Sequence, residues 1–286
     1  MLRIKLGEII KASWYYTWGN KKLWLIALLV AFGGFFWQYN YQDWSTLSAS
    51  WQIIGQGGHV SAGVWALLIA IISVIGLALF LLSLWFRASL IFGIDKIRQL
   101  QNYKLKELLH LGRKKIGALF IIEILVGLAN FALFIPTIIL ALAHSSALNV
   151  VLWITMALTI VFNIIIFLFI SYSYFYAVLD DKKAVEAMKL AWGLFVKNWK
   201  EVLLATLVEV ALLVAMGLAM IMVLLILAIP LAIIGVLLLM VAGSNAIAIM
   251  SIVGAAILLV LFALLRGGVN VFLHSYLMNV YWRLKE

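Results

Sequence analysis

The chain has 286 residues, of which 67% are hydrophobic and only 11% are charged, and its formal net charge is +10. Soluble globular domains are close to half apolar and a quarter charged, so this composition excludes that class. Apolar runs much longer than 18 residues recur, without the alternation of polar and apolar residues that a membrane β-barrel requires. The sequence predicts an all-α polytopic membrane helix bundle, with residues 1–286 forming a single integral membrane domain.

Lysine and arginine are concentrated in four clusters, at residues 3–22, 96–115, 182–200 and 283–285. The positive-inside rule places such clusters on the cytoplasmic side of the membrane. Both termini are then cytoplasmic and the number of crossings is even. Because the positive charge is distributed between the apolar segments in this way, it does not indicate a nucleic-acid partner.

The first part of the chain predicts a surface helix followed by one crossing. Residues 1–20 are amphipathic, and helix 1 is expected over 22–38. The loop 39–61 lacks lysine and arginine and is expected outside, where Asp43 could cap a short helix. Trp37, Trp44 and Trp51 would share one side of that helix, either as an interfacial anchor or as an aromatic lid over a ligand.

The middle of the chain predicts three further crossings around a second basic segment. Helix 2 is expected over 62–94, and the basic segment 95–115 contains the run KELLHLGRKK. Helix 3 follows at 116–142, with a kink at Pro136. After a short external connection at 144–149, helix 4 is expected over 150–178. Asp180 and Asp181 are predicted to cap a third amphipathic helix at 182–197.

The last third of the chain allows two interpretations of its apolar run 202–242, which is long enough for one helix or two spans. Two spans would place Arg283 and Lys285 outside, so one helix over 201–229 is preferred. A kinked or re-entrant piece at 230–242 is expected after it, beginning at Pro230. Helix 6 is then expected over 246–281, and Gly267–Gly268 could interrupt it.

Similar residues recur near the start of each predicted unit. One constant offset of 178 positions relates the residues of the first motif to those of the last, and a shorter match lies between them. Each copy would be an interfacial helix followed by a helical hairpin, so that the units, at about 1–95, 96–180 and 181–286, form a parallel pseudo-threefold repeat. Convergence of membrane-surface helices on lysine, tryptophan and glutamate is the alternative explanation. The motif residues are Glu8, Lys11, Trp14, Asn20 and Lys22, then Glu107 and His110, then Glu186, Lys189, Trp192, Asn198 and Lys200.

The run AVEAMKLAWGLFVKNW at 184–199, entered from an aromatic helix end and an acidic turn, also resembles a known motif. It is similar to that of bacterial six-helix integral membrane proteins of unknown function, including the membrane domain fused to some glycerophosphodiester phosphodiesterases. The resemblance implies six transmembrane helices and a plasma-membrane location. It does not imply catalysis, because the chain has no soluble segment long enough for a phosphodiesterase domain.

Four charged residues, Arg87, Glu123, Glu209 and Arg266, fall within apolar runs. Such charges are costly in a membrane, at about 2.5–3.5 kcal/mol each on insertion scales. The first three are each eight or nine residues from a basic or acidic end, which places them at similar depth. Arg87 is therefore predicted to pair with Glu123 or Glu209, as a structural ion pair or as part of a proton or substrate site.

The sequence contains no cysteine, and none of its histidines has metal-ligand spacing, so neither a metal nor a cofactor is predicted. No nucleotide-binding or hydrolase motif is present. The leading hypothesis is a non-enzymatic membrane protein that binds anionic lipid headgroups or scaffolds a partner, another membrane protein or a second copy, at the inner leaflet. The alternative is a transporter of small molecules or lipid that uses the intramembrane Arg/Glu residues.

Overall fold

The computed structural model describes residues 5–38, 62–142, 149–242 and 244–286. All regular secondary structure in these residues is α-helical. The predicted loop at 39–61 and most of the connection at 144–149 lie outside the described residues. In chain order the helices are α1 (Leu6–Gly19), α2 (Lys22–Gln38), α3 (Ala62–Arg98), α4 (Leu105–Arg113), α5 (Ile116–Leu142), α6 (Asn149–Leu179), α7 (Ala184–Lys197), α8 (Trp199–Ala242) and α9 (Ser244–Lys285).

Five of these helices, α3, α5, α6, α8 and α9, are long and apolar enough to cross a membrane. Helix α2 is also apolar, but it has 17 residues within the described part of the chain. The short helices α1, α4 and α7 each precede a long one, as the sequence predicted. The structure therefore describes an all-helical, multi-pass membrane architecture.

The long apolar run after residue 200 forms one continuous helix of 44 residues, α8. Two spans are thereby excluded. A kinked or re-entrant piece was expected at 230–242, and of these two forms the re-entrant one is wrong. Pro230 lies inside the helix. Proline removes one backbone hydrogen bond, but in a membrane no solvent competes for the remaining groups, so an apolar helix continues past it.

Helix α9 is also continuous, and the interruption considered at Gly267–Gly268 does not occur. Both glycines are buried against α2. A Cβ on Gly267 would lie 2.5 Å from the carbonyl oxygen of Trp24, and one on Gly268 would lie 3.3 Å from the Trp24 ring. These glycines therefore allow α2 and α9 to approach closely, which is the usual role of small residues between membrane helices.

The helices pack in three hairpins, α2 with α3, α5 with α6, and α8 with α9. Two of the short helices pack on the long helix that precedes them, α4 on α3 and α7 on α6. The first short helix, α1, has no preceding long helix and packs instead on α9. Helix α2 also contacts α9, so that the first and last hairpins are neighbours.

Each short helix has a small residue at the centre of its contact. These residues, all buried, are Ser13 of α1, Gly112 of α4 and Ala191 of α7. Each lies the same number of positions after the motif glutamate of its helix, which is Glu8, Glu107 or Glu186. Four residues earlier, Ile9, Leu108 and Ala187 are buried as well. The same one-sided contact with a long helix is therefore present in all three.

Two turns between long and short helices use the left-handed backbone conformation. Leu100 has φ 56° and Asp181 has φ 55°, and each lies two residues beyond the end of its long helix, α3 and α6 respectively. The prediction that Asp180 and Asp181 cap α7 is wrong. Lys183 is the N-cap residue, and it makes no side-chain capping hydrogen bond.

Buried side chains are concentrated in the half of the bundle that carries the short helices. This core includes Leu84 to Ile97 of α3, Tyr172 to Val178 of α6 and Val271 to Tyr281 of α9. At the other end, side chains such as Ile72 of α3 and Trp153 of α6 are exposed. The helices are therefore packed tightly at the basic end and present apolar surface elsewhere, as lipid-facing segments do.

We predict that Gly112→Ala destabilises the protein by crowding α4 against α3. A Cβ at this position would lie 2.8 Å from the backbone nitrogen of Ser89 and 2.9 Å from the carbonyl oxygen of Trp85. Overpacking of this kind costs about 1–3 kcal/mol. Thermal unfolding in detergent would measure the loss. Gly193→Ala is the matched control, because a Cβ there meets no atom within 4 Å; equal effects of the two substitutions would contradict the packing argument.

Candidate functional site

A buried polar cluster joins three of the long helices. Arg87 Nη1 on α3 lies 3.0 Å from Glu123 Oε1 on α5. The Tyr174 hydroxyl on α6 donates to the same carboxylate oxygen over 2.5 Å. The Arg87 guanidinium also lies 5.0 Å from the centre of the Tyr174 ring. Of the two partners predicted for Arg87, the structure thus selects Glu123.

The environment of this pair is mainly apolar. Both charged side chains are 24% exposed, and they are flanked by fully buried residues such as Leu84 and Ile122. The Arg87 Nε atom is buried and has no acceptor among the described residues. An ion pair in such surroundings is poorly screened, so the cluster fixes α3, α5 and α6 relative to one another.

Tyr174 was not singled out from the sequence. It belongs to the run SYSYFY, which has the composition of an aromatic belt at a membrane interface. In the structure this run is largely buried, and its aromatic side chains contact Arg87 of α3, Glu123 of α5 and Tyr281 of α9. The position of Tyr174 along α6 could have indicated this contact. A tyrosine several residues inside the helix end lies close to the membrane depth predicted for Arg87 and Glu123.

The remaining intramembrane charges are not part of the cluster. Glu209 of α8 is half-buried near Tyr172 and Tyr276, and Tyr276 donates to the Ala205 carbonyl over 3.0 Å. Arg266 of α9 is also half-buried. Within the described residues neither Glu209 nor Arg266 has an ion-pair partner within 4.0 Å. The charges predicted to act together therefore separate into one pair and two single groups.

The repeated motif residues lie on the outer faces of the short helices. The ionisable members, Glu8 and Lys11 of α1, Glu107 and His110 of α4, and Glu186 and Lys189 of α7, are all exposed. Trp14 is 51% exposed and contacts Phe272 of α9, while Trp192 is 46% exposed and contacts Phe169 of α6.

The asparagines of the motif end their helices in the same way. Asn20 is the C-cap of α1, and its side chain donates to the Tyr16 carbonyl over 3.2 Å. Asn198 is the C-cap of α7, and its side chain donates to the Leu194 carbonyl over 3.2 Å. The two positions therefore share a structural role as well as a residue type.

The acidic turn after α6 connects it to two other helix ends. Asp180 accepts hydrogen bonds from the Tyr281 hydroxyl at 2.9 Å and from Lys285 Nζ at 2.6 Å, both on α9. Asp181 forms an ion pair with Lys115 at the start of α5. The bonded Lys115 ammonium lowers the pKa of the exposed Asp181 carboxyl. Both aspartates thus hold helix ends together rather than cap α7.

Two of the cavities formed by the described residues bear on the predicted site. The first, of about 430 Å³, is an apolar cleft between α5 and α6, lined by residues such as Phe134, Met156 and Phe167. The second, of about 270 Å³, lies at the basic end, between α1 and the last turns of α3 and α9. Neither cavity is lined by Arg87, Glu123 or Glu209.

We predict that Glu123→Gln destabilises the protein because it leaves Arg87 charged without a carboxylate partner. Removing one member of a buried ion pair costs about 3–5 kcal/mol. Unfolding in detergent would show this loss, and the double variant Arg87→Met/Glu123→Met should recover much of it. Glu186→Gln removes a 2.7 Å but exposed pair with Lys182 and should change stability by less than about 1 kcal/mol. A Glu123→Gln variant as stable as Glu186→Gln would contradict the role of the cluster.

Comparison with known proteins adds a family but no activity. No curated protein and no solved structure matches the chain significantly. Residues 16–286 match a family described as "Family of unknown function (DUF7544)". The match begins inside α1 and covers every later helix. The chain therefore belongs to the DUF7544 family of unknown function.

Proposed function

We propose that this protein is a non-enzymatic, plasma-membrane protein that binds anionic lipid headgroups at the inner leaflet. In this proposal α2 is a sixth crossing, because it packs along α3 and α9, both long enough to span. Both termini are cytoplasmic, since all four basic clusters then lie on one side. The relation to the membrane domain of glycerophosphodiester phosphodiesterases stays a prediction.

The contacts of the short helices support the proposed parallel repeat. A chance set of surface helices would share composition but not detailed structure. Here the buried small residue, the asparagine C-cap of α1 and α7, and the left-handed turns after α3 and α6 each recur at corresponding places. These shared details favour duplication of one unit over convergence.

The observation that carries the proposal is the mixed surface of α1 and α7. On α1 the exposed tryptophans Trp14 and Trp18 lie beside the exposed Lys11. On α7 the exposed Trp192 and Val196 lie beside Lys189 and Lys197. None of these three lysines has an ion-pair partner within the described part of the chain. Apolar rings beside unpaired cations are what a helix in an anionic membrane surface requires.

Helix α4 differs from α1 and α7. Its outer face consists of charged and polar groups, including Lys106, Glu107, His110 and Arg113, all exposed. This helix contains no tryptophan and no valine. In the proposed arrangement α4 therefore lies among headgroups and water, while α1 and α7 enter the leaflet. The three short helices form a collar of uneven depth.

The cavities favour lipid binding over the transporter alternative. A transporter would need a polar path to the Arg87–Glu123 pair. Of the two cavities described above, one is an apolar cleft between helices and the other is a polar cavity at the basic end, and neither is lined by Arg87 or Glu123. An apolar cleft of about 430 Å³ is compatible with an acyl chain. A scaffolding role for the collar would use the same exposed cations toward an acidic protein surface.

We predict that single cysteine variants will be labelled according to the proposed topology. Because the chain contains no cysteine, each label reports one introduced position. Lys106→Cys and Lys189→Cys lie on exposed faces of α4 and α7, and Gly63→Cys and Val150→Cys lie at the opposite ends of α3 and α6. A membrane-impermeant maleimide added to intact cells should label only the last two. Labelling of Lys106→Cys or Lys189→Cys before permeabilisation would reject the arrangement.

We predict that lipids around the collar are enriched in anionic headgroups. Quenching of tryptophan fluorescence by brominated phosphatidylglycerol in phosphatidylcholine vesicles measures the binding constant of phosphatidylglycerol relative to that of phosphatidylcholine. This relative binding constant should be above one. That constant should fall as salt is raised from 0.1 to 1 M, since the Debye length drops from about 10 to about 3 Å. Each unpaired lysine contributes about 1 kcal/mol to an anionic lipid beside it, so Lys11→Gln/Lys189→Gln/Lys197→Gln should reduce the constant at each of these positions about fivefold.

The matched control for this measurement is Lys182→Gln/Glu186→Gln. It removes an exposed pair whose charges already neutralise each other at 2.7 Å, so the relative constant should stay unchanged. A wild-type constant of one at low salt would reject anionic lipid binding. A similar loss in the control would show that the lysines act through stability rather than through charge.

A further inference from the structure

Glu209 is an ionisable side chain that the described structure leaves without a charged partner inside an apolar helix. It lies on α8, nine residues beyond Lys200, which corresponds to a rise of about 14 Å along the helix. Its side chain is half-buried, and its neighbours Leu207 and Val210 are exposed apolar residues. Ionisable residues at such positions are costly in a membrane and are usually retained because they have a function.

The carboxylate of Glu123, predicted at a similar depth, shows what Glu209 lacks. Arg87 Nη1 lies 3.0 Å from Glu123 Oε1, and the Tyr174 hydroxyl donates to the same oxygen. Within the described residues, Glu209 has no lysine, arginine or histidine within 4.0 Å. A negative charge on Glu123 is therefore compensated, whereas a negative charge on Glu209 would not be.

The ionisable groups that face Glu209 from the helices packed beside α8 are two buried tyrosines. They are Tyr172 of α6 and Tyr276 of α9. Tyr276 donates its hydroxyl proton to the Ala205 carbonyl over 3.0 Å. The Tyr172 hydroxyl makes no hydrogen bond to any residue that the structure describes. Glu209 thus receives neither the cation nor the donated hydrogen bond that keep Glu123 ionised.

We propose that Glu209 is a proton-binding site at the junction of α6, α8 and α9. The ligand is the proton itself, which converts the carboxylate into a neutral carboxyl that apolar surroundings tolerate. A tyrosine hydroxyl oxygen is an acceptor as well as a donor, so the carboxyl O–H has an acceptor in Tyr172. Loss of the proton places an uncompensated charge where α8 contacts α6 and α9. Proton occupancy therefore determines whether this junction is neutral or charged.

A hydrophobic carbodiimide tests this site, because it enters the bilayer and reacts with protonated carboxyl groups. The carboxyl O–H adds across one C=N bond, with the proton going to nitrogen and the oxygen to the central carbon. The adduct rearranges to a stable N-acylurea that keeps every atom of the reagent. Peptide mass spectrometry of the full chain in vesicles should find this added mass on Glu209. The rate should fall as the pH is raised, because the protonated form is lost, and Glu123 in the same molecules should stay unmodified.

The Glu209→Gln variant supplies two independent measurements. An amide resembles a neutral carboxyl in size and charge, so the unfolding temperature in detergent should equal that of the wild type, in contrast to the loss expected for Glu123→Gln. The infrared carbonyl band of a protonated carboxyl should also disappear. Glu186→Gln is the matched control, since Glu186 is exposed and paired with Lys182, and the band should persist in that variant.

Four results would overturn the proposal. Absence of the infrared band from the wild-type chain at every pH at which it stays folded would show that Glu209 holds no proton. Persistence of the band in Glu209→Gln would assign the protonated carboxyl to another residue. Carbodiimide modification that is independent of pH, or equal on Glu123, would show that the reaction does not report a bound proton. Destabilisation of Glu209→Gln as large as that of Glu123→Gln would show that Glu209 is ionised and paired.

Discussion

The structure depends on the close contact of each short helix with one long helix. Ser13, Gly112 and Ala191 lack the bulk that would hold the short helices away, so backbones approach and larger neighbours close around them. On α4 this contact is reinforced by Trp85 Nε1, which donates to the Leu109 carbonyl over 2.6 Å. Because this contact turns one face of each short helix inward, the other face is exposed. The exposed position of the lysines and tryptophans on these helices therefore follows from the packing.

The interior charges have a complementary role. Packing of apolar side chains alone leaves helices free to slide, since lipid tails are as apolar as leucine. The Arg87–Glu123 pair, with Tyr174 donating to the same oxygen, is directional and joins three helices at one level. Asp180 and Asp181 act similarly at the helix ends, toward α9 and α5. Polar contacts thus set the register of a bundle whose bulk comes from apolar burial.

Much of this arrangement could be predicted from the sequence because the membrane restricts the options. Apolar runs bounded by basic clusters gave the helix order, and the depth of Arg87 and Glu123 predicted their meeting. Contacts between the three repeat units could not be predicted, because they depend on small residues such as Gly112, which a hydropathy profile does not distinguish from their neighbours. Tyr174 was missed because its neighbours resemble an interfacial belt. The prediction that the helix ends at Pro230 is wrong, because the tendency of proline to end a helix is weaker where backbone groups have no alternative hydrogen-bond partners.

The packing of α1 against α9 has a consequence for biogenesis. Ser13 and Asn279, which share a 3.1 Å hydrogen bond, are separated by 266 positions along the chain. Helices α4 and α7 dock on a neighbour that has just left the ribosome, whereas α1 must wait until the last hairpin is inserted. During that interval the α1 face that carries the buried residues Ile9, Ser13 and Thr17 lacks its contact with α9. The contact between α1 and α9 would therefore form only after α9 has been synthesised, later than the contacts of α4 and α7 with their neighbours.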